Sequence, residues 1–125
     1  IGVNFRMSEL NALLSYSVVK ETDNIIENKY EIAKKYMEAC NQSGISYITP
    51  KDELHYSNLY KFILIEEESD PIKKFNKLKT RTSPVYDYHL GNDPSQIASR
   101  HICLPIWFNQ DASLTEQVLD ELYSY

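Results

Sequence analysis

The sequence is poor in the residues that build disulfide-stapled or loop-rich proteins. Its 125 residues contain three glycines, five prolines and two cysteines, too few for a low-complexity chain or a disulfide framework. No apolar run approaches the roughly 20 residues of a membrane-spanning helix, and residues 1–14 lack the charged-then-apolar layout of a signal peptide. These absences predict one globular domain without a membrane partner.

The two cysteines, Cys40 and Cys103, both have apolar neighbours in the sequence. A structural disulfide is one alternative, and two buried free thiols are the favoured one because they suit a reducing cytoplasm. No spacing of cysteine and histidine resembles a metal site. We therefore expect a cytoplasmic protein without a metal.

Positive charge is also scarce, since 13 lysines and arginines stand against 18 acidic residues and the net charge is −5. Nucleic acids and anionic membranes need clustered cations, so neither is an expected partner. The one run of lysines, between positions 73 and 79, follows an acidic run and is typical of a solvated helix face. No paired carboxylates, nucleophile elbow or glycine-rich phosphate loop indicates an independent hydrolase or nucleotide-binding protein.

Apolar residues at helical spacing predict a long helical region at the start of the chain. Residues 22–24, Thr-Asp-Asn, interrupt the pattern with cap-forming side chains, so the region is either one bent helix or two. Gly44 supplies a natural stop. The two apolar stripes are Leu10, Leu13, Leu14 and Val18, followed by Ile26, Tyr30, Ala33 and Met37.

The rest of the chain reads as short strands and helices. Candidate strands cover residues 46–49, 59–65 and 81–88, the last at a sheet edge because of Pro84. A helix is predicted from Pro71, after an Asp70 cap, to about Lys79, and a short one at Asp93-Pro94. Ser113 is the predicted cap of the last helix, with Glu116 at its third position. The predicted fold class is α+β, a small, mainly antiparallel sheet with helices on one side.

Residues 91–109 are predicted to be irregular and are the preferred functional loop, because binding residues concentrate on loops held by a scaffold. The stretch carries Arg100, His101, Trp107 and Phe108. For the two aromatic residues, covering the core or a domain interface is the favoured role, and stacking on a ligand is the alternative.

The run from Gly2 to Glu9, Gly-Val-Asn-Phe-Arg-Met-Ser-Glu, places two phosphate-binding side chains just before a helix. In an extended segment Asn4 and Arg6 point to the same side. An amide donates two N–H groups, and a guanidinium grips phosphate bidentately. Ser8 is a plausible N-cap, so an anion-attracting helix terminus follows directly.

This run resembles the Gly-x-Asn-x-Arg-Met-Ser-Glu signature of the DegT/DnrJ/StrS family, the sugar aminotransferases that use pyridoxal phosphate. Residues 100–106, Arg-His-Ile-Cys-Leu-Pro-Ile, are similar to the Leu-Pro segment that precedes the last helix of that family. The order of predicted elements also agrees. The resemblance spans essentially all 125 residues and covers only the C-terminal part of such an enzyme.

The resemblance implies that residues 1–125 form a single C-terminal small domain, like the small domain of type I pyridoxal-phosphate transferases. The lysine that forms the Schiff base lies in the large N-terminal domain of the family, so no catalytic residue is expected here and the isolated chain should be inactive. The whole protein would move an amino group from an amino-acid donor to a keto-sugar nucleotide, as a homodimer with active sites at the subunit interface.

For individual residues, the resemblance implies that Asn4 reaches the cofactor phosphate of the partner subunit. Arg6 either touches substrate or braces its loop, and Tyr86 and His89 are candidate substrate-binding residues. Between His89 and Arg100 the chain is shorter than the family's usual insertion, which leaves the identity of the substrate open. Two alternatives remain: a relative whose lysine is replaced, which dehydrates its substrate or has no activity, and a stand-alone dimerisation module.

Overall fold

The computed structural model describes residues 8–48, 58–66, 71–82 and 100–125, and nothing is said of the side chains of Pro71 and Ile72. Four helices and three strands follow each other along these residues. They are α1 (Glu9–Lys20), α2 (Thr22–Ser43), β1 (Tyr47–Ile48), β2 (Phe62–Ile65), α3 (Pro71–Lys74), which continues as a 3-10 turn over Phe75–Lys77, β3 (His101–Leu104) and α4 (Ala112–Tyr123).

The helical region at the start of the chain consists of two helices with one residue, Glu21, between them. The Glu21 N–H and the Thr22 hydroxyl both donate to the carbonyl of Val18, at 3.1 and 3.2 Å, and end α1 there. Gly44 ends α2 in the left-handed conformation, with a φ of 66°, as the sequence predicts. Thus the cap-forming residues at 22–24 mark a true break.

The sheet is antiparallel and runs in the order β1, β2, β3. Tyr47 pairs with Leu64, and Phe62 pairs with Leu104. Beyond β3, the N–H and hydroxyl of Thr82 both donate to the carbonyl of Cys103, at 2.8 and 3.1 Å. The sheet is therefore small and antiparallel, as expected for the α+β class.

The core lies between the sheet and the helices on one side of it. Phe62, Leu64, Ile102 and Leu104 belong to the same buried cluster as side chains of α2, the 3-10 turn and α4. The Tyr36 ring meets that of Phe62 edge-on at 5.4 Å. Buried members from the helical side are Ile32, Ala33, Tyr36, Ala39, Cys40, Phe75, Leu78, Val118 and Leu122.

Two sequence predictions are wrong near the end of the chain. The stretch 91–109 is not irregular throughout, because His101 to Leu104 form β3, whose four residues are all buried. A strand buried on both faces shows no alternation and escapes a periodicity search. The cap of α4 is Asp111, not Ser113: its carboxylate accepts from the Ser113 N–H at 2.8 Å, so Glu116 is not the third helical residue.

Other predictions hold only in part or cannot be compared. The strand predicted at 59–65 begins at Phe62, because Leu59 has a left-handed φ of 47°. The helix from Pro71 ends at Lys77 rather than Lys79. Within the strand predicted at 81–88, residues 83–88 lie outside the described residues, as do Asp70 and the short helix at 93–94.

Cys40 and Cys103 are both buried and neither forms a disulfide, as favoured from the sequence. Burial raises the pKa of Cys40 to about 12. Because the thiolate is the reactive form, Cys40 has the character of an inert core residue.

Candidate functional site

The run that resembles the family signature leads directly into the N-terminus of α1. Ser8 has extended backbone angles and its hydroxyl accepts from the Asn11 N–H at 3.2 Å, which makes it the N-cap predicted from the sequence. Glu9 lies in the first turn, where its charge complements the helix dipole. Asn4 and Arg6 themselves lie outside the described residues. In the sequence, the cap of α1 follows Arg6 after one intervening residue, Met7.

Tyr86 and His89 also lie outside the described residues, between Thr82 and Arg100. Both ends of that interval are fixed beside the sheet. Thr82 is bonded to Cys103 of β3, and the Arg100 carbonyl accepts from the Glu66 N–H at 2.9 Å. The described residues on either side of the interval are therefore bonded to β3 and to the residue that follows β2.

Helix α1 carries most of the large apolar side chains that are exposed among the described residues. It contains no buried residue, and its large apolar side chains are 58% to 68% exposed. Apolar clusters of this kind mark interaction sites in soluble proteins. They are Leu10, Leu13, Leu14, Tyr16, Val18 and Val19, six of the ten large apolar side chains that are exposed in the described part of the chain.

The apolar residues of α1 occupy two faces rather than one. At 3.6 residues per turn, Leu10, Leu14 and Val18 follow one line along the helix. Tyr16 and Val19 project from the opposite side, with Asn11 and Ser15 in one polar strip between the faces and Glu9 and Lys20 in the other. A helix that is apolar on two sides has two faces to bury, and in α1 neither face contains a buried residue.

The loop after β3 is tied to α2 and α4 by a buried polar network. The Tyr36 hydroxyl donates to the Pro105 carbonyl at 3.1 Å, and the Gln110 amide donates to Tyr36 Oη and Thr115 Oγ1 at 2.8 and 3.0 Å. Burial raises the pKa of Tyr36, against a smaller opposite effect of its hydrogen bonds. The hydroxyl therefore stays protonated and acts as a structural donor.

Sequence reasoning did not single out Gln110, because its main partner Tyr36 lies 74 positions away in the chain. In the loop between β3 and α4, the local pattern that indicates structure is Asp111 followed by apolar residues at helical spacing. The loop itself displays Trp107, which is 47% exposed, and Phe108, which is half-buried. This exposure excludes a core role for Trp107, and covering an interface stays a prediction beside stacking on a ligand.

A cleft of about 220 Å³ lies between α2 and α4. Its charged side chains are Lys35, Glu31 and Glu116, and Gln110 and Thr115 form part of its wall. Glu31 is held by Lys34 at 2.6 Å on the surface. No nucleophile with an adjacent base lines the cleft, so its chemistry is that of a surface groove.

Within residues 8–48, 58–66, 71–82 and 100–125, no group of three or more His, Cys, Asp or Glu side chains could hold a metal ion. Over the same residues, every helix falls short of the length and apolarity needed to cross a bilayer. The ion pair between buried Glu66 and Lys74 joins the end of β2 to α3 and is structural. Among these residues, α1 and the loop with Trp107 have the features of an interaction surface.

Comparisons with known proteins agree with this description. The model of the DegT/DnrJ/EryC1/StrS aminotransferase family matches residues 1–122. No curated protein matches the sequence. The fold is similar to that of the aminotransferase TlmJ from Streptoalloteichus hindustanus, with a TM-score of 0.72 and 19% sequence identity, over 92% of this chain and 35% of that chain. The chain thus spans about a third of the length of that structure, and it belongs to the DegT/DnrJ/EryC1/StrS aminotransferase family.

Proposed function

We propose that this chain is the C-terminal domain of a cytoplasmic, dimeric aminotransferase that uses pyridoxal phosphate and acts on a keto-sugar nucleotide. The observation that carries the proposal is the family match over residues 1–122, which includes the signature run at residues 2–9. An amino acid supplies the amino group. The Schiff-base lysine and most of the cofactor pocket lie in the large domain of the same protein, and the active sites lie at the subunit interface.

Members of this family depend on pyridoxal phosphate, which acts as an electron sink when bound. The donor chemistry of the signature run fits its phosphate. Asn4 offers amide N–H groups to a phosphate oxygen, and Ser8, four residues later, caps a helix whose N-terminus favours negative charge. We assign Asn4 to the cofactor phosphate of the partner subunit.

The dimer interface is the second part of the proposal. Its support is the exposure of α1, which directly follows the signature run and has no buried residue. If Asn4 reaches into the partner's active site, the helix that begins five residues later lies close to the partner as well. Burial of its leucines would contribute roughly 25 cal/mol for each Å² of apolar surface removed from water.

Arg6, Tyr86 and His89 are assigned to the sugar nucleotide. A guanidinium binds phosphate bidentately, and a neutral imidazole or a phenol can hydrogen-bond a sugar hydroxyl. The interval between His89 and Arg100 is shorter than the family's usual insertion. The sugar that this protein binds therefore cannot be taken from relatives with the longer insertion.

The test is the affinity of the full-length protein for pyridoxal phosphate, measured by fluorescence titration. Asn4→Ala should weaken it by about 1.5–3 kcal/mol, the value of a hydrogen bond to a charged group, which is roughly 10- to 150-fold in Kd. Asn24→Ala is the matched control, because Asn24 is exposed and bonds only to Glu21 among the described residues.

An unchanged Kd in Asn4→Ala would reduce Asn4 to a brace of its loop. Borohydride reduction of the same holoenzyme locates the Schiff base. Cofactor trapped on a lysine within residues 1–125 would contradict the assignment of these residues to a non-catalytic domain.

A further inference from the structure

Gln110 has a buried side-chain oxygen, Oε1, with no hydrogen-bond partner among the described residues. The residue as a whole is 9% exposed. An acceptor that is buried without a donor destabilises the fold, and nearly all such atoms in native structures bond to protein, to ordered water or to a ligand. Gln110 Oε1 therefore indicates a partner that these residues do not supply.

The hydrogen bonds around the Gln110 amide determine which of its two ends is unpaired. The Tyr36 hydroxyl donates to the Pro105 carbonyl at 3.1 Å, and the Thr115 hydroxyl donates to the Asp111 carbonyl at 3.3 Å. Both hydroxyl oxygens can then only accept, and Gln110 Nε2 donates to them at 2.8 and 3.0 Å. Turning the amide over would place Oε1 against two oxygens whose hydrogens are already used. The unpaired atom is thus an acceptor, and its missing partner is an N–H or O–H donor.

The cleft between α2 and α4 is the place where such a donor can lie. Gln110 and Thr115 form part of its wall, and its volume is about 220 Å³. Pockets for drug-sized ligands measure about 300–1,000 Å³. The cleft therefore suits a smaller molecule.

The charges in the cleft favour a donor that is positively charged. Glu31 on α2 and Glu116 on α4 line the cleft, together with one cation, Lys35. Glu31 is already paired with Lys34, whereas Glu116 is exposed and forms no ion pair with the described residues. A carboxylate attracts a cation bound nearby, and a charged donor forms a stronger hydrogen bond than a neutral one. A small cation with N–H groups therefore fits the cleft better than a neutral donor does.

A primary ammonium group combines these properties, because it carries three N–H donors and a positive charge in a small volume. We propose that the cleft between α2 and α4 binds the primary ammonium group of a small molecule, with Gln110 Oε1 as the hydrogen-bond acceptor and Glu116 as the counter-charge. Two sources share this chemistry, a free α-amino acid and an aliphatic amine. They differ at Lys35, which can pair with the carboxylate of an amino acid and has no such partner in an amine.

Binding requires a movement of the cleft wall, since Oε1 has almost no contact with solvent. The charged side chains that line the cleft, Glu31, Lys35 and Glu116, are all exposed. Exposed side chains change rotamer on the picosecond-to-nanosecond timescale, so the rim can rearrange while Gln110 stays anchored through Nε2. The site uses none of the residues assigned to the cofactor or the sugar nucleotide, and it stands whether or not the full protein is an aminotransferase.

The experiment titrates n-propylammonium chloride into the full-length protein, with isotope-labelled leucine and threonine methyl groups observed by NMR. The reporters are the methyl groups of Thr115 and Leu119, which line the cleft. The matched ligand is n-propyltrimethylammonium, which has the same charge and chain but no N–H donor. We expect saturable shifts of both reporters with propylammonium and a Kd on the order of 1–10 mM for so small a ligand. The trimethyl ligand should bind at least about 10-fold more weakly, because it cannot donate to Oε1.

Two variants locate the contact in the protein. Glu116→Gln should weaken propylammonium binding about 2- to 5-fold, as expected for an exposed charge pair. Gln110→Met should weaken it about 10-fold or more, because the acceptor is removed. The matched control is Glu38→Gln, an exposed glutamate of α2 outside the cleft, which should leave the Kd within about 1.5-fold. If Gln110→Met does not fold, the two ligands on the unchanged protein still decide the outcome.

Free L-alanine distinguishes the two sources of the ammonium group. Binding at least about 3-fold tighter than that of propylammonium, reduced to the propylammonium value in Lys35→Met, identifies an amino acid. Equal or weaker binding identifies an amine.

Three results would overturn the proposal. Equal shifts with propylammonium and its trimethyl analogue would show that charge alone suffices and that Oε1 takes no part. Equal Kd values in Glu116→Gln and Glu38→Gln would place the ammonium outside the cleft. Absence of any shift at about 100 mM, well above the expected Kd, would leave water as the partner of Gln110 Oε1.

Discussion

Helices α1 and α4 are both 12 residues long, and they differ in what covers them. In α4, one face with Thr115, Val118 and Leu122 is buried and the other is polar. In α1, apolar residues occupy two faces and none is buried. From this arrangement we expect α1 to need neighbours on two sides, whereas α4 needs them on one.

This difference has an energetic consequence. An isolated helix of about 12 residues is marginally stable in water, and most helical stability in proteins comes from packing. The core supplies that packing to α4, whereas among the described residues α1 is held by its cap at Ser8 and its junction with α2. In the chain alone, α4 should share the global stability and α1 should open locally.

The largest expected effect comes from truncating a leucine in each helix of the isolated chain. Leu122→Ala should lower the free energy of unfolding by about 2–5 kcal/mol, because it leaves a cavity in the core. Leu14→Ala, in an exposed side chain, should change it by about 0.5 kcal/mol or less. Urea denaturation followed by circular dichroism measures both. Equal losses would mean that α1 is packed within its own domain.

A smaller effect is expected from removing a tyrosine hydroxyl. Tyr36→Phe leaves the Pro105 carbonyl and the Gln110 amide without their buried partner, at a cost of about 1–3 kcal/mol. Tyr47→Phe is the control, since its hydroxyl donates to Asn41 Oδ1 at the surface, and should cost about 0.5 kcal/mol or less. If both variants unfold at the same urea concentration, the network around Gln110 does not hold the loop after β3.

The smallest effect concerns the cap of α4. Hydrogen bonds from the Ser113 hydroxyl and N–H lower the pKa of Asp111 below that of the unfolded chain. The stabilisation is therefore present above about pH 4, where an unfolded aspartate is ionised, and is lost as the pH falls through the folded pKa.

Asp111→Asn keeps a good cap but does not titrate, so its urea midpoint should fall less than that of the unchanged chain between pH 5 and pH 2. Asp23→Asn, in the first turn of α2, controls for the loss of one carboxylate at a helix N-terminus. If the urea midpoints of Asp111→Asn and of the unchanged chain fall equally as the pH is lowered, Asp111 does not contribute to the loss of stability in acid.

Local signals in the sequence were enough to locate the helical region at the start of the chain and its ends. Capping residues at 22–24 and Gly44 marked the true ends of helices. The strand at His101 was missed because its burial depends on β2 and Thr82, which are distant in sequence. Asp111 and Ser113 are both good caps, and only the backbone angles decide between them.

For the candidate site, the sequence predicted the helix cap at Ser8 next to the signature run, and it predicted α1 as an apolar helix. It gave no indication of the two hydrogen bonds by which Asn28 and Lys29 of α2 hold the turns at Asn58 and Asn109, because these bonds join residues 29 and 81 positions apart. Contacts of that separation follow from the tertiary fold and leave no local pattern.

The central claim is that α1 is covered by parts of the protein beyond this domain. Its most direct test is hydrogen exchange of the residue 10–18 amides, measured by mass spectrometry. Light scattering across a concentration series accompanies it. We expect self-association of the isolated chain as its concentration rises, fast exchange of these amides in the dilute monomer, and slow exchange of residues 32–40 of α2. In the full-length protein, exchange at residues 10–18 should become slow. A monodisperse monomer at high concentration with protected residue 10–18 amides would contradict the claim.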